Sequence, residues 1–327
     1  MAKLDIIIPH YKEDIHLMDP MFAILRLQRN IKWTDFRVLI VCDGEDIILP
    51  EWFGHGEPFE VSSITVPHGG IAAARNAGRD YSQADWIMYC DSDDAFLTTT
   101  ALQVFLDKMK DDKVMVASSF LEEGICSDGS IALLRHDCKD CVFIHGKAFR
   151  RSWLNDNNIR FNDEICLHED VYFVALAKYH MAEKNIAYIK EPQYLWQYNP
   201  KSVTREKPNF VLRTYDMLCK KNSALVDELM RRGMFLPAKG IVCRTITDAY
   251  VRFHCKSWNT PENRELIADA EECVALFLRH YDYIFRNAGD VVIQAGLNSL
   301  RDIMIKRKNF DPDNVIPFEE WVEQLRK

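Results

Sequence analysis

Short, nearly continuous apolar runs separated by helix-spaced segments organise the first two hundred residues. Leu4–Pro9 (LDIIIP) is apolar at consecutive positions, the pattern of a strand covered on both faces. Phe36–Cys42 (FRVLIVC) and Asp85–Cys90 (DWIMYC) repeat it, and Val61–Val66 reads as a further strand between them. Between them, residues 18–29 (MDPMFAILRLQR) and Gly69–Tyr81 (GGIAAARNAGRDY) carry apolar positions at helical spacing. This alternation predicts an α/β fold, a mainly parallel sheet flanked by helices. Further on, Val171–Tyr179 reads as an amphipathic helix and Tyr194–Tyr198 as a last strand of alternating aromatics.

After about residue 205 the pattern changes. Residues 210–232, 237–256, 262–286, 290–308 and 317–326 all read as helices, with no strand-like run of comparable quality. The polar segment Lys201–Asn209, containing Pro208, predicts a boundary. The expected organisation is a sheet domain over 1–205 and a helical domain over 206–327, the latter shaping a second substrate's site or a contact between copies of the chain. No internal repeat or low-complexity tract interrupts either part.

Composition narrows the function classes. Of 327 residues, 48% are hydrophobic and 28% charged, which excludes a disordered tail, a collagen-like repeat and a small disulfide scaffold. The net charge of −8 is uneven: residues 1–200 carry 20 basic and 31 acidic side chains, residues 201–327 carry 21 and 18. That balance argues against a dedicated nucleic-acid binder but leaves an anionic substrate open to the second part. No apolar stretch approaches the ~20 residues needed to cross a bilayer. Met1-Ala2-Lys3-Leu4 leads straight into the first strand rather than into a cleavable apolar region, so the chain is expected to be soluble and cytoplasmic. The ten cysteines are scattered, and Cys42, Cys90 and Cys243 sit in apolar runs as small hydrophobes. Cys138 and Cys141 form one isolated C-x-x-C pair; a zinc site would need further ligands, for which Cys126, His136 and Cys166 are the candidates.

The chemistry gathers at strand ends. The first strand ends Pro9-His10-Tyr11-Lys12-Glu13, the second Asp43-Gly44-Glu45-Asp46, the fourth Asp91-Ser92-Asp93-Asp94. In an open α/β sheet these ends face one crevice. Acidic groups converging there repel one another unless a cation is present. On extended backbone residues i and i+2 face the same side, so Asp91 and Asp93 can address one site. Two oxygen ligands completed by water and phosphate suit Mg²⁺ or Mn²⁺. Gly69-Gly70 is no phosphate loop, because no G-K-[ST] follows, and it lacks the G-x-G-x-x-G dinucleotide fingerprint. His145 and His168 flank the expected site in sequence and read as structural or acceptor-side residues.

These pieces together resemble a family 2 glycosyltransferase of the GT-A fold. LDIIIPHYKE, VCDGED, HGGIAAARNAGRDYSQADWIMYCDSDD, FIHGKAFRRSWLNDNNIRFND and CLHEDVYF occur in the family's order over roughly residues 3–205. The resemblance implies an inverting, metal-dependent transfer of a sugar from a nucleotide diphosphate donor, commonly a UDP-sugar. It implies that Pro9, Tyr11 and Glu13 hold the nucleoside and that Asp43 accepts the N3–H of uracil. At that strand end the family often has two Asp followed by Gly-Ser, where this chain reads Cys42-Asp43-Gly44-Glu45. It further implies Arg75 near base and phosphates, Asp91 near ribose and donor sugar, and Asp93 as the main metal ligand. Of the E-D pair, Asp170 is the expected base and Glu169 its runner-up. The stretch Asn199–Arg205 resembles the family's Tyr-x-x-x-x-x-Ser-x-Thr stretch after the E-D helix; a loop that closes over a phosphorylated donor needs cationic side chains, here Lys201 and Arg205, and needs to move so that product can leave. The acceptor is open: a glycan, a protein, a small molecule or a hydroxymethylated DNA base. A sugar-1-phosphate nucleotidyltransferase would need a Gly-rich basic loop after the first strand, which HYKEDIHLMDP does not offer. A non-catalytic nucleotide-sugar-binding protein of the same fold would be expected to have lost an acidic ligand or the E-D pair, and both are kept.

Overall fold

The computed structural model describes residues 2–126, 128–140, 142–202, 209–306, 309 and 315–327. The chain divides into two compact units, Met1–Pro200 and Lys201–Lys327.

The first unit is built on a nine-stranded mixed sheet. Its strands are β1 (Leu4–His10), β2 (Phe36–Asp43), β3 (Glu60–Val66), β4 (Trp86–Tyr89), β5 (Ala95–Phe96), β6 (Met115–Ile125), β7 (Ile131–His136), β8 (Lys147–Arg150) and β9 (Ile186–Trp196). Its helices are α1 (Asp19–Arg26), α2 (Gly70–Tyr81), α3 (Ala101–Lys108), α4 (Arg151–Asp156) and α5 (Glu169–His180). The spatial order is β3-β2-β1-β4-β8-β6-β9-β5, with β7 paired to β6. The strands β3, β2, β1 and β4 run parallel, as the continuous apolar runs of β1, β2 and β4 predict; β3 (EVSSITV) is instead an edge strand, partly or fully exposed along its length. The remainder is mixed: β8 is antiparallel to β4 and β6, whereas β9 is parallel to β6.

Alternation along the parallel strands splits their side chains between two helical layers. Ile6, Ile8, Val38, Ile40, Trp86 and Met88 join Phe22, Leu25, Leu102 and Phe105 in one core. On the opposite face Tyr89 meets Phe161 and Phe173 edge-on, and Phe161 stacks on Phe173 at 4.2 Å. There α2 lies very close to the sheet. A Cβ at Gly78 would stand 2.5 Å from Ile7 Cγ2 and 2.9 Å from Val41 Cγ2, so only glycine fits. Asp5, fully buried in β1, is satisfied by a two-pronged bond from Arg37 at 3.1 and 2.6 Å and by the Ser82 hydroxyl at 2.7 Å.

The chain runs β1, β2, β3 toward one edge and then returns to place β4 on the other side of β1. Strand order therefore reverses between β1 and β4, which is where open α/β sheets open a crevice beyond their carboxyl ends.

The second unit is helical: α6 (Phe210–Arg213), α7 (Tyr215–Arg231), α8 (Phe235–Phe253), α9 (Arg264–Arg286), α10 (Asp290–Lys306) and α11 (Phe318–Arg326). The expected helix over 210–232 is divided at Thr214, whose backbone leaves the helical region. Buried Val226, Leu229, Val242, Ile246, Val274 and Leu278 form its interior. Tyr281 donates to the Ser223 carbonyl at 2.8 Å and to Asp227 at 2.9 Å, tying α9 to α7. Among the described residues no helix is long and apolar enough to cross a membrane.

Candidate active site

Two strand ends are stitched together across the crevice by Glu13. Its carboxylate accepts from the Tyr11 N–H at 2.9 Å and from the Ser92 hydroxyl at 3.0 Å, and lies 3.2 Å from His10 Nδ1. Burial works against that charge, yet His10 and the backbone donors hold the Glu13 carboxyl below its usual range. Glu13 is thus a strut between the β1 and β4 ends. Pro9 is buried inside β1, paired with Val41. Tyr11 is exposed, and its ring stacks on His68 at 4.4 Å, nearly parallel.

Asp43, at the end of β2, turns its carboxylate to the start of α2. Oδ1 accepts from the Gly69 N–H at 2.8 Å, Oδ2 from the Gly70 N–H at 3.0 Å, and His68 Nδ1 lies 3.0 Å from Oδ2. Negative charge here complements the unpaired N–H groups of a helix N-terminus. Gly70 has φ +85°, which a residue with a side chain adopts only under strain, and this brings its N–H onto Asp43.

Arg75, in the middle of α2, is 2% exposed. Nη1 donates to Glu169 Oε1 and Nη2 to Asp91 Oδ1, both at 2.6 Å, while the Phe161 ring lies 5.3 Å from the guanidinium carbon. Burial disfavours its charge, but Asp91, Glu169 and Asp170 together raise its pKa above the ordinary arginine value. Asp91 shows the converse: burial opposes its charge, but Arg75 and His145 hold its carboxyl below the usual range.

The other two aspartates after β4 face different partners. Asp93 Oδ2 accepts from Asn199 Nδ2 at 2.8 Å, and burial with the nearby Asp91 charge leaves its carboxyl raised. Asp94 is fully buried; it accepts from the Tyr194 hydroxyl at 2.7 Å and from the Gln197 N–H at 3.1 Å. Burial, Asp91 and Asp93 push its carboxyl well up. His145 Nδ1 stands 3.4 Å from Asp94 Oδ2, walled by Tyr194 and Trp196 rings at 5.5 and 4.8 Å. That nitrogen is buried and makes no hydrogen bond among the described residues. Burial lowers the His145 pKa to about 4, so the ring is neutral at physiological pH and has a lone pair to offer.

One donor atom each from Asp91, Asp94 and His145 lie within 4.8 Å of one another. Two carboxylates and a neutral imidazole suit a divalent ion such as Mn²⁺ or Mg²⁺, and the unbonded His145 nitrogen is what such a site would leave without its ion. The donor set therefore fits a metal. Among the described residues no other group of three such side chains gathers this way. Cys141 of the C-x-x-C pair and Arg205 of the basic loop lie outside the described residues. Cys126 and Cys166 are exposed thiols, and His136 pairs with Glu122 at 2.8 Å.

The E-D pair opens α5. Glu169 is buried against Arg75 and does not cap the helix. Asp170 accepts from the Val171 N–H at 2.7 Å and remains partly exposed. Burial first, then the Glu169 charge, push the Asp170 carboxyl up to about 7, against the pull of Arg75. The two carboxylates thus have separate environments: one paired and sequestered, the other poised near neutrality.

Sequence reasoning singled out the strand-end acids but not what meets them. Nothing local announced that Tyr194 and His145 would close on Asp94 from 100 and 51 positions away. His68 gave one usable signal, its place directly before the Gly69-Gly70 turn at the head of α2.

Residues 5–164 match the profile of the family described as glycosyl transferase family 2. The chain is 20% identical over 192 residues to the poly(ribitol-phosphate) beta-N-acetylglucosaminyltransferase TarS of Staphylococcus aureus, an alignment covering 54% of this chain but only 32% of that relative. The crystal structure of S. aureus TarS 1-349 superposes with a TM-score of 0.61 at 12% identity, covering 97% of this chain and 95% of that one. The same TarS fragment in complex with UDP-GlcNAc gives 0.56 at 14% identity, with coverages of 97% and 95%. At these identities the structural likeness establishes a shared fold.

Proposed function

We propose that this glycosyltransferase, whose residues 5–164 match the family 2 profile, transfers a sugar from a UDP-sugar to an acceptor hydroxyl with inversion, using a divalent metal and Asp170 as general base. The observation that carries the reading is the contrast within the E-D pair: Glu169 is consumed by Arg75, whereas Asp170 is partly exposed with its carboxyl raised to about 7. A base works best when its pKa lies near the operating pH. Asp170 takes the acceptor's proton as the acceptor oxygen attacks the anomeric carbon, and the nucleoside diphosphate departs on the opposite face.

The donor base is proposed to stack on Tyr11, whose ring is exposed and backed by His68, with Pro9 and Glu13 fixing the loop that carries it. A uracil is favoured because TarS, whose fold this chain shares, has been crystallised with UDP-GlcNAc. Asp91 and Asp93 are the proposed ligands of the D-x-D pattern. His145 favours a second ligand set, Asp91 with Asp94 and His145, because its unbonded nitrogen faces those carboxylates. When bound, the ion supplies a Lewis acid that neutralises charge on the leaving diphosphate. The acceptor stays unassigned.

The test is release of the donor's own nucleoside diphosphate from a panel of UDP-, GDP- and CDP-sugars with Mn²⁺ present and in excess EDTA, followed by donor–acceptor screening with product mass as readout. Release from a UDP-sugar that EDTA abolishes supports the reading. Full turnover in EDTA, or a clear preference for another nucleotide, overturns it.

A further inference from the structure

We propose that Arg75 is a positioning residue that locks the donor-side carboxylate Asp91 to the acceptor-side pair Glu169–Asp170, and that it does not itself hold the donor. The inference rests on the preceding reading, in which Asp91 lies beside the donor and Asp170 is the base. Arg75 sits on α2, Asp91 just beyond β4, Glu169 at the first position of α5; the partners are 16 and 94 residues away in sequence. One guanidinium therefore joins three elements that share no local constraint.

One N–H of each terminal nitrogen donates at 2.6 Å to a protein carboxylate, Nε is buried without a hydrogen-bond partner among the described residues, the side chain is 2% exposed, and Phe161 closes one face, so a ligand has little access to the guanidinium. Buried Arg–carboxylate bonds of this kind are short, directional and hard to give up, because breaking one strands a charge out of water. Glu169 immediately precedes Asp170, so holding Glu169 fixes the first turn of α5 and with it the direction of the base. The other prong fixes Asp91. A planar fork can address two acceptors in fixed directions, which the single ammonium of a lysine cannot. The resemblance of the A-R-N element implies an arginine near base and phosphates; the bonding here assigns it to the spacing between the two halves of the reaction instead.

The test uses the full chain with Arg75→Lys, Glu169→Gln, Glu169→Leu, the Arg75→Lys/Glu169→Leu double variant and Asp170→Asn. Two quantities are read: UDP affinity by calorimetry with and without Mn²⁺, and turnover on the best donor of the panel. Misplacing a reacting group by about 1 Å can cost ~100-fold, so Arg75→Lys and Glu169→Leu should each lower turnover by about that much. Glu169→Gln keeps an oxygen for Nη1 and should stay within ~10-fold of wild type. Residues acting as one unit are strongly non-additive, so the double variant should be no more than ~3-fold worse than the poorer single. Metal-free UDP affinity should stay within ~2-fold throughout, because no donor contact has been removed. Should Arg75→Lys fail to fold, the two Glu169 variants still carry the test, since they leave the Arg75–Asp91 bond intact. Metal-free UDP binding weakened ~10-fold in Arg75→Lys with saturated turnover unchanged would make Arg75 a donor contact and overturn the proposal. Multiplicative losses in the double variant would overturn it too. Wild-type turnover in Asp170→Asn refutes the base assignment alone; the Arg75–Glu169 coupling is read from its own cycle whichever group takes the proton.

Discussion

Replacing Asp170 by asparagine should make the protein more stable and nearly inactive, and the stability gain should depend on pH in a defined way. Asp170 faces Glu169 on its own helix, Arg75 on α2 and Asp91 beyond β4; burial and the Glu169 charge outweigh Arg75 and hold the carboxyl at about 7 against an ordinary value of 3.8. The folded state therefore keeps a proton that the unfolded chain releases. Below about pH 4 both states are protonated and Asp170 contributes nothing. Between about pH 4 and 7 the unfolded state ionises first, so stability falls by ~1.4 kcal/mol per pH unit. Above about pH 7 both are ionised and the full penalty, an upper bound of ~4 kcal/mol, remains. Asparagine keeps the shape and never ionises. From pH 5 to 7 the variant's advantage should widen by ~2–3 kcal/mol, roughly 4–12 °C in melting temperature for a unit of this size. The assay is thermal unfolding of both proteins in matched buffers from pH 4.5 to 8.5, without metal or nucleotide, paired with UDP release at each pH. Turnover should fall ~10²–10⁴-fold, the usual worth of a general base, with UDP affinity little changed. Melting curves that stay parallel across pH 5 to 7 would refute the raised carboxyl. Wild-type turnover in Asp170→Asn, with Glu169→Gln inactive, would move the base to Glu169.

Three further outcomes are expected. Gly78→Ala should destabilise by ~1–3 kcal/mol, read as a lower urea midpoint, because its methyl would overlap Ile7 and Val41 under α2. UDP should bind about 5–150-fold more tightly than CDP, the ~1–3 kcal/mol of one mismatched hydrogen bond; equal affinities by calorimetry would count against a carboxylate at Asp43 reading the base. Arg205→Ala should weaken UDP-sugar binding if the segment after Asn199 meets the diphosphate, and unchanged binding would leave Arg205 as a residue of an ordinary linker.

The parallel half of the sheet was legible because β1, β2 and β4 are buried on both faces and can hardly be written in anything but apolar residues. The other half was not. In β6 the apolar run is broken by Ser118 and Ser119, which are themselves fully buried, and from Leu121 onward its residues are partly or fully exposed. In β7 the apolar Ile131, Leu133 and Leu134 point to solvent, and β8 buries Lys147, which donates to the Phe143 carbonyl at 2.6 Å. Tertiary partners, not pattern, decide such strands. The site divides in the same way. Acids directly after apolar strands announce themselves, because the fold class says where strand ends go. The bonds that give each acid its state come from distant residues: Tyr194 and His145 on Asp94, Asn199 on Asp93, Gly69 and Gly70 on Asp43. The sequence does name Glu169 and Asp170 as neighbours, but only the buried Arg75 separates their roles.

The central claim is that the acids beyond β1 and β4 form one metal and nucleoside-diphosphate site. A crystal of the full chain grown with UDP and Mn²⁺, with an anomalous difference map recorded at the manganese edge, tests it most directly. The account predicts UDP in the crevice between the β1 and β4 ends, its base against Tyr11, and a manganese peak coordinated by Asp91 and the diphosphate. Whether Asp93 or the Asp94–His145 pair completes the protein ligands is then read from the same map. UDP bound in that crevice with no manganese peak, or bound away from it altogether, would contradict the account.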